Sequence, residues 1–337
     1  MTKRDKNEIA ATRAALALGD IRVCARLISR VEREEEGLVH LLQALYKAGG
    51  RAQVIGVTGP PGAGKSSLVS QMIRVWRKRG KKVAVLAVDP SSPFSGGAVL
   101  GDRLRMADHT CDDGVFIRSM ASRGQLGGLA KAAGDALTVL DAMNWDVIII
   151  ETVGVGQNET AIIRHADLVV LVQTPMGGGD VQAAKAGINE IGDIYVVNKG
   201  DHPEADRTVS QIRDMVTLGH HLHPETAWIP PVLKTQSLLG QGAEELADTV
   251  QSWFDHVRDH PDSARMRARQ RVRHRTAEII RDRLDKRLLK GREQIVESLI
   301  DQVVSRDRDP YALADSLLAA LGNGPEPQDC LIPVMAD

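Results

Sequence analysis

Glycines, a lysine and a hydroxyl at fixed spacing carry the clearest chemistry in this sequence, in Gly59-Pro60-Pro61-Gly62-Ala63-Gly64-Lys65-Ser66. The stretch satisfies G-x-x-x-x-G-K-[ST], the pattern of a loop that cradles phosphates. Glycines let successive backbone N–H groups converge on phosphate oxygens, and the N-terminus of a following helix adds positive dipole charge. Lys65 would reach the β- and γ-phosphates, and Ser66, with Ser67 behind it, would turn a hydroxyl to Mg²⁺. The alternative, a Gly/Pro surface turn that matches by chance, lacks the context found here. A strand-like run, residues 53–58, precedes the motif and a helix-spaced stretch, residues 67–73, follows it.

A second cluster, Asn198-Lys199-Gly200-Asp201, names the base. In N-K-x-D the aspartate accepts from two adjacent N–H groups on the Watson–Crick edge of guanine, a pair that adenine does not offer. Lys199 would cover the base and Asn198 would tie this loop to the P-loop region. Residues 231–237 would supply the other wall through backbone N–H groups, with Thr235 and Gln236 at its centre.

Positioning these clusters requires a sheet. Apolar runs at 53–58, 81–88, 146–150, 167–172 and 193–197 read as buried strands separated by helical stretches,. That alternation predicts an α/β fold, a P-loop NTPase with a mainly parallel sheet covered by helices on both faces. Ligands of such sheets bind at the carboxyl ends of the strands, where the P-loop, Asp89, Glu151 and Asn198 collect. Before the sheet, apolar residues at three- and four-residue spacing from Ile9 to Ala48 predict two or three helices, broken at Gly19-Asp20 and Gly37. This cap is either a docking surface or a packing layer. Beyond Pro261 two amphipathic helices are expected, their stripe buried against a symmetric partner or against the same chain. The domains read as a helical cap at 1–50, a G domain at 51–262 and a helical arm with a loose tail at 263–337.

Composition narrows the function. Among 337 residues, 43 basic and 44 acidic side chains leave a net charge of −1, so bulk attraction to nucleic acid or to an anionic membrane is not expected,. Cys24, Cys111 and Cys330 are scattered, which argues against disulfides and fits a reduced, cytoplasmic setting,. No signal-type or membrane-length apolar run is present. The acids and histidine of 108–113 and the histidines of 220–223 lack the pairing of a metal site. Arg265, Arg267, Arg269, Arg271, Arg273 and Arg275 are taken as spread round a solvated helix start.

Longer motifs resemble one family. The stretches Val88-Asp89-Pro90-Ser91-Ser92-Pro93, 96–106, Arg123-Gly124-Gln125-Leu126-Gly127-Gly128, 151–157 and Asp309-Pro310-Tyr311-Ala312 are similar to those of MeaB-type P-loop GTPases, also labelled ArgK/LAO kinases or methylmalonyl-CoA mutase-associated GTPases. The resemblance implies GTP hydrolysis to GDP and phosphate, and a chaperone role for an adenosylcobalamin-dependent acyl-CoA mutase. Adenosylcobalamin would be met only through that partner. It implies Mg²⁺ held by Ser66 with Asp89, Asp102 and Glu151, although Asp102 reads equally well as a solvated cap. Catalytic positions would be Lys65, Glu151, Gly154 and Gln157, with Gly154 sensing the γ-phosphate and Gln157 either orienting water or holding its loop. The arm would make a homodimer. Val155 follows Gly154 where many switch GTPases carry a glutamine, so basal hydrolysis should be slow. Residues 175–185 depart from the family pattern at Gly179, as does 202–206. The partner is expected to be methylmalonyl-CoA mutase, or an isobutyryl- or 2-hydroxyisobutyryl-CoA type. A kinase of a transport protein and a GTPase metallochaperone are the competing readings.

Overall fold

The computed structural model describes residues 3–89, 107–109, 111–121, 126–154, 157–175, 192–222, 228–289 and 293–322. The chain divides into one unit of residues 1–276 and a second of residues 277–337. The first is built on seven parallel strands: β1 (Gln53–Thr58), β2 (Val83–Asp89), β3 (Val115–Ala121), β4 (Val147–Thr152), β5 (Leu168–Gln173), β6 (Ile194–Val197) and β7 (Val232–Lys234). Their order is β3-β2-β4-β1-β5-β6-β7.

Central strands are buried on both faces, which is why they read as unbroken apolar runs. On β4, Val147 and Ile149 join the core under α4 (Lys65–Lys78) and α8 (Ala243–Asp259), while Ile148 and Ile150 join the core on the opposite face. That second core is covered by the cap helices α1 (Lys3–Ala17), α2 (Ile21–Glu32) and α3 (Val39–Tyr46), and by α5 (Leu126–Asp141) and α6 (Gln157–Ile163). The helix α7 (Ala205–Leu222) packs over β5, β6 and β7 in a third cluster. In α2 the buried Cys24, Leu27, Ile28 and Val31 repeat at helical spacing, and each large apolar side chain so buried stabilises the fold by about 1.5–3 kcal/mol,. The carboxylate of Asp20 caps this helix, accepting from Arg22 N at 2.9 Å and Val23 N at 3.0 Å. Burial pushes the Cys24 thiol up to about 12, so it packs as an inert hydrophobe,.

The five expected strands are present, and β3 and β7 complete the sheet at its two edges. β3 carries Arg118 and Ser119 among apolar residues, and the Arg118 guanidinium leaves the sheet to meet Ser29 and Glu32 of α2. β7 spans 3 residues.

At the sheet's amino edge three aspartates perform one task. Asp146, Asp167 and Asp193 each stand just before a strand and accept from the backbone of the neighbouring one: Lys82 N at 2.7 Å, Val54 N at 3.0 Å and Val169 N at 2.9 Å. The part of the long helix α9 (Pro261–Leu289) that lies in the first unit meets two of these acids. Its Arg267 pairs with Asp193 at 2.6 Å, Arg271 with Asp167 at 2.7 Å, and Arg275 with Asp135 of α5. This corrects the reading of these arginines as spread round a solvated helix. Alternate positions step about 200° round an α-helix, so they sort into two opposite rows rather than scattering. In the second unit, α10 (Glu293–Val304) precedes α11 (Pro310–Gly322), whose start is capped by Asp309 accepting from Tyr311 N at 2.9 Å and Ala312 N at 3.0 Å. No helix among the described residues is long and apolar enough to cross a membrane.

Candidate nucleotide site

The loop of residues 59–64 leaves the central strand β1 and turns into α4, so its backbone stands where β1 separates β4 from β5. Two glycines are sterically required. A Cβ on Gly59 would lie 2.0 Å from the carbonyl oxygen of Val172, and one on Gly64, at φ +85°, would lie 2.3 Å from Asn198 Nδ2,. Pro61 and Gly62 are exposed, Pro60 and Ser67 half-buried, and Ala63, Lys65 and Ser66 buried. The Lys65 ammonium is held by three carbonyl oxygens, Gly59 at 2.8 Å, Pro60 at 2.9 Å and Val153 at 2.8 Å, which centre its charge over the loop.

Ser66 and Glu151 meet across 85 residues of sequence, the hydroxyl donating to Oε1 at 2.5 Å with both side chains buried. Asp89 closes β2, one residue beyond the pairing of Val88 with Thr152 on β4. These oxygen donors suit Mg²⁺, which takes oxygen ligands in small numbers and keeps its waters. Asp102 lies outside the described residues, as do Val155, Gly156, residues 176–191 and most of the family-specific stretches at 90–106 and 122–125. Gln157 is the first residue of α6. Gly154 is fixed through its carbonyl, which accepts from Thr58 Oγ1 at 3.0 Å, while Thr58 accepts from Thr152 Oγ1 at 2.9 Å. Sequence reasoning missed Thr58 and Thr152; the available signal is a polar residue closing an apolar strand on each of two paired strands.

Asn198 joins the two loops. Its amide donates to Ala63 O at 2.7 Å and Ser237 Oγ at 3.0 Å, and its Oδ1 accepts from Thr235 Oγ1 and Ser237 N, both at 3.1 Å. Both donors and both lone pairs are therefore used in a side chain that is 1% exposed,. The backbone N–H groups expected to wall the base are spent within the protein, Thr235 on Val197 O at 2.9 Å and Gln236 on Gln241 O at 3.0 Å. Lys199, at φ 57°, and Asp201 are exposed at the rim.

The two doubtful metal stretches have other work. Asp108 pairs with Arg74 at 2.5 Å, His109 Nε2 lies 2.9 Å from Ser70 Oγ, and Asp112 pairs with Arg77 at 2.8 Å, so this loop is anchored on α4. His220 and His221 close α7. No cluster of metal-ligating side chains occurs among the described residues.

Residues 24–293 match the sequence model of the methylmalonyl Co-A mutase-associated GTPase MeaB family. The chain is similar to a putative GTPase of Pyrococcus abyssi, 44% identical over 91% of this chain and 94% of that protein. It is also similar to the mitochondrial methylmalonic aciduria type A homolog of Mus musculus, 36% identical over 60% of this chain and 49% of that protein. Among solved structures, an LAO/AO transport system kinase shares the fold with a TM-score of 0.69, at 23% identity over 96% of this chain and 99% of that one.

Proposed function

Because the chain belongs to the MeaB family of methylmalonyl-CoA mutase-associated GTPases, we propose that its GTP hydrolysis serves as the switch of a chaperone for an adenosylcobalamin-dependent acyl-CoA mutase. The observation that carries this reading is the family match across residues 24–293, joined to a site in which one buried asparagine ties phosphate loop to base loop. In this reading Asp201 takes guanine N1–H and N2–H, and the amides of 59–66 with Lys65 take the β- and γ-phosphates. Mg²⁺ would be held by Ser66 with Asp89, Asp102 and Glu151, and when bound it would neutralise charge on the phosphate oxygens.

Hydrolysis joins a water oxygen to the γ-phosphorus and breaks its bond to the β–γ bridging oxygen. Lys65 stabilises the charge that gathers there. Gly154 offers its N–H to the γ-phosphate, and loss of that phosphate frees the residues that follow it. Val155 brings no polar group to the attacking water, so the isolated protein turns over slowly and the mutase, by ordering the switch residues, accelerates it. The cargo adenosylcobalamin stays with the partner, which is methylmalonyl-CoA mutase or a related isobutyryl- or 2-hydroxyisobutyryl-CoA enzyme. A homodimer formed by the C-terminal helices completes the proposal. Single-turnover GTP hydrolysis with and without the cognate mutase tests it. A rate that rises well above basal supports the switch; a fast basal rate, or none gained at saturating mutase, refutes it.

A further inference from the structure

The helix α9 carries two rows of arginine on opposite faces. Arg267, Arg271 and Arg275 occupy one row and grip Asp193, Asp167 and Asp135. Arg265, Arg269 and Arg273, at the same four-residue interval, stand about 160° round the helix and are exposed,. Among the described residues none makes an ion pair or hydrogen bond with this second row. With Asp262, Met266 and Gln270 the outer arginines line a groove of about 400 Å³. Met266 is 61% exposed there and Val272, alongside, is 52% exposed.

We propose that the outer row is a docking surface for a protein partner that presents a row of carboxylates on one helical face. The inner row is the precedent: on the same helix, at the same interval, arginines already bind three aspartates. Guanidinium groups pair with carboxylates through two parallel hydrogen bonds, and the outer three span about 12 Å, two turns of helix. Met266 lines the groove with the arginines, and Val272 stands exposed on the other flank of the row, so apolar surface accompanies the charge as it does in protein interfaces,. Nucleic acid fits less well, because phosphates have no use for the exposed Met266 and Val272 beside the arginines and the chain as a whole bears a net charge of −1,.

The test uses full-length protein with GDP and a labelled alanine-based helical peptide of about 17 residues carrying three glutamates at four-residue spacing. A control peptide has the same composition with the glutamates two residues apart. The spaced peptide should bind with an affinity that falls as salt rises, and the control should bind several-fold more weakly. R265A/R269A/R273A should weaken the spaced peptide about tenfold while leaving GDP affinity and melting temperature unchanged. Arg269→Glu alone, a smaller perturbation, should weaken it in the same direction if the triple variant proves unstable. Four results would overturn the proposal: equal binding of both peptides, binding indifferent to the variants, tighter variant-sensitive binding of a single-stranded oligonucleotide or anionic vesicles, or a changed oligomeric state in the variants, which would make the partner a second copy of this chain.

Discussion

Acidic side chains stand at both ends of the same sheet, and their partners separate the two ends. At the amino edge Asp146, Asp167 and Asp193 close the ladder by accepting from strand N–H groups, and arginines of α9 neutralise two of them. At the carboxyl edge Glu151 accepts from the hydroxyl of Ser66, beside a lysine held over a loop of backbone amides. The first arrangement consumes its charges in holding strands together. The second gathers donors and acceptors around a place where phosphate would sit. Burial alone does not distinguish them, since Glu151 and Asp193 are 5% and 6% exposed. What differs is the kind of group each acid meets: strand N–H groups and arginines at the amino edge, a serine hydroxyl beside the phosphate-loop motif at the carboxyl edge.

The largest contrast should come from Lys65→Ala against Arg267→Ala. Removing Lys65 should lower GTP hydrolysis about 10²–10³-fold while shifting the melting temperature little, because two of the three carbonyl contacts it makes, with Pro60 and Val153, are only part-buried,. Removing Arg267 should do the reverse. It leaves Asp193 buried with only the Arg271 charge acting on it and should cost about 2–3 kcal/mol, below the roughly 3–5 kcal/mol of a fully buried broken pair because the Arg267 guanidinium is itself 37% exposed,. Hydrolysis per folded molecule should stay unchanged. Thermal unfolding and single-turnover kinetics on both variants check this; equal losses of rate in the two would erase the distinction between the edges.

Acid should sharpen it further. Burial raises the Asp193 carboxyl above its ordinary 3.8, with Arg267 opposing the shift. A raised folded value means that the contribution is most favourable below 3.8 and is lost as pH rises through the folded value,. Arg267→Ala removes the opposing charge, so its stability deficit should be smaller in mildly acidic buffer than at neutral pH. The same ladder bears on truncation. Removing residues 263–337 deletes Arg267, Arg271 and Arg275, whereas removing 277–337 keeps all three, so the shorter product should melt several degrees lower at equal GDP affinity,. Light scattering on the full chain and on the 277–337 deletion tests the dimer directly.

How legible each edge was follows from the same physics. At the carboxyl edge the placement of the two motifs, Gly59–Ser66 and Asn198–Asp201, was legible because each keeps fixed residues at fixed spacing directly after an apolar strand, and the central strands were legible because burial on both faces makes them largely apolar,. β3 and β7 were not, since an edge strand is free to carry Arg118 or to shrink to 3 residues. The arginine ladder stayed hidden for another reason. Its partners, Asp135, Asp167 and Asp193, are separated in sequence and announce themselves only as residues that happen to precede or flank apolar runs. Asn198, by contrast, was correctly expected to tie its loop to the P-loop, because the motif fixes what it must reach.

At the rim of the carboxyl edge, Asp201→Asn should replace an acceptor by a donor facing guanine. The loss of a charged hydrogen bond, about 1.5–3 kcal/mol, should weaken GTP and improve XTP. Calorimetry with both nucleotides decides it, and GTP affinity left intact with no gain for XTP would move the base pocket elsewhere.

The smallest effect should come from the stretch before β3 that is anchored on α4. His109 is buried against α4, its Nε2 2.9 Å from Ser70 Oγ, with Asp108 and Asp112 of the same loop paired to Arg74 and Arg77. Burial lowers its value below the ordinary 6.5, opposed by the Ser70 carbonyl and the two aspartates and reinforced by Arg74. A lowered folded value favours the neutral ring, so the contribution is present above 6.5 and is lost as pH falls through the folded value,. Over that window the melting temperature of the full chain should drop by an amount worth under about 1 kcal/mol, the net worth of an ordinary hydrogen bond. His109→Gln keeps a polar side chain that does not titrate, so this part of the acid response should vanish while the Asp193 part, which runs in the opposite direction, remains. Melting curves of the two proteins across the acid range separate the terms: identical pH profiles would mean that His109 has no share in the response, and that the anchor on α4 rests on its two ion pairs alone.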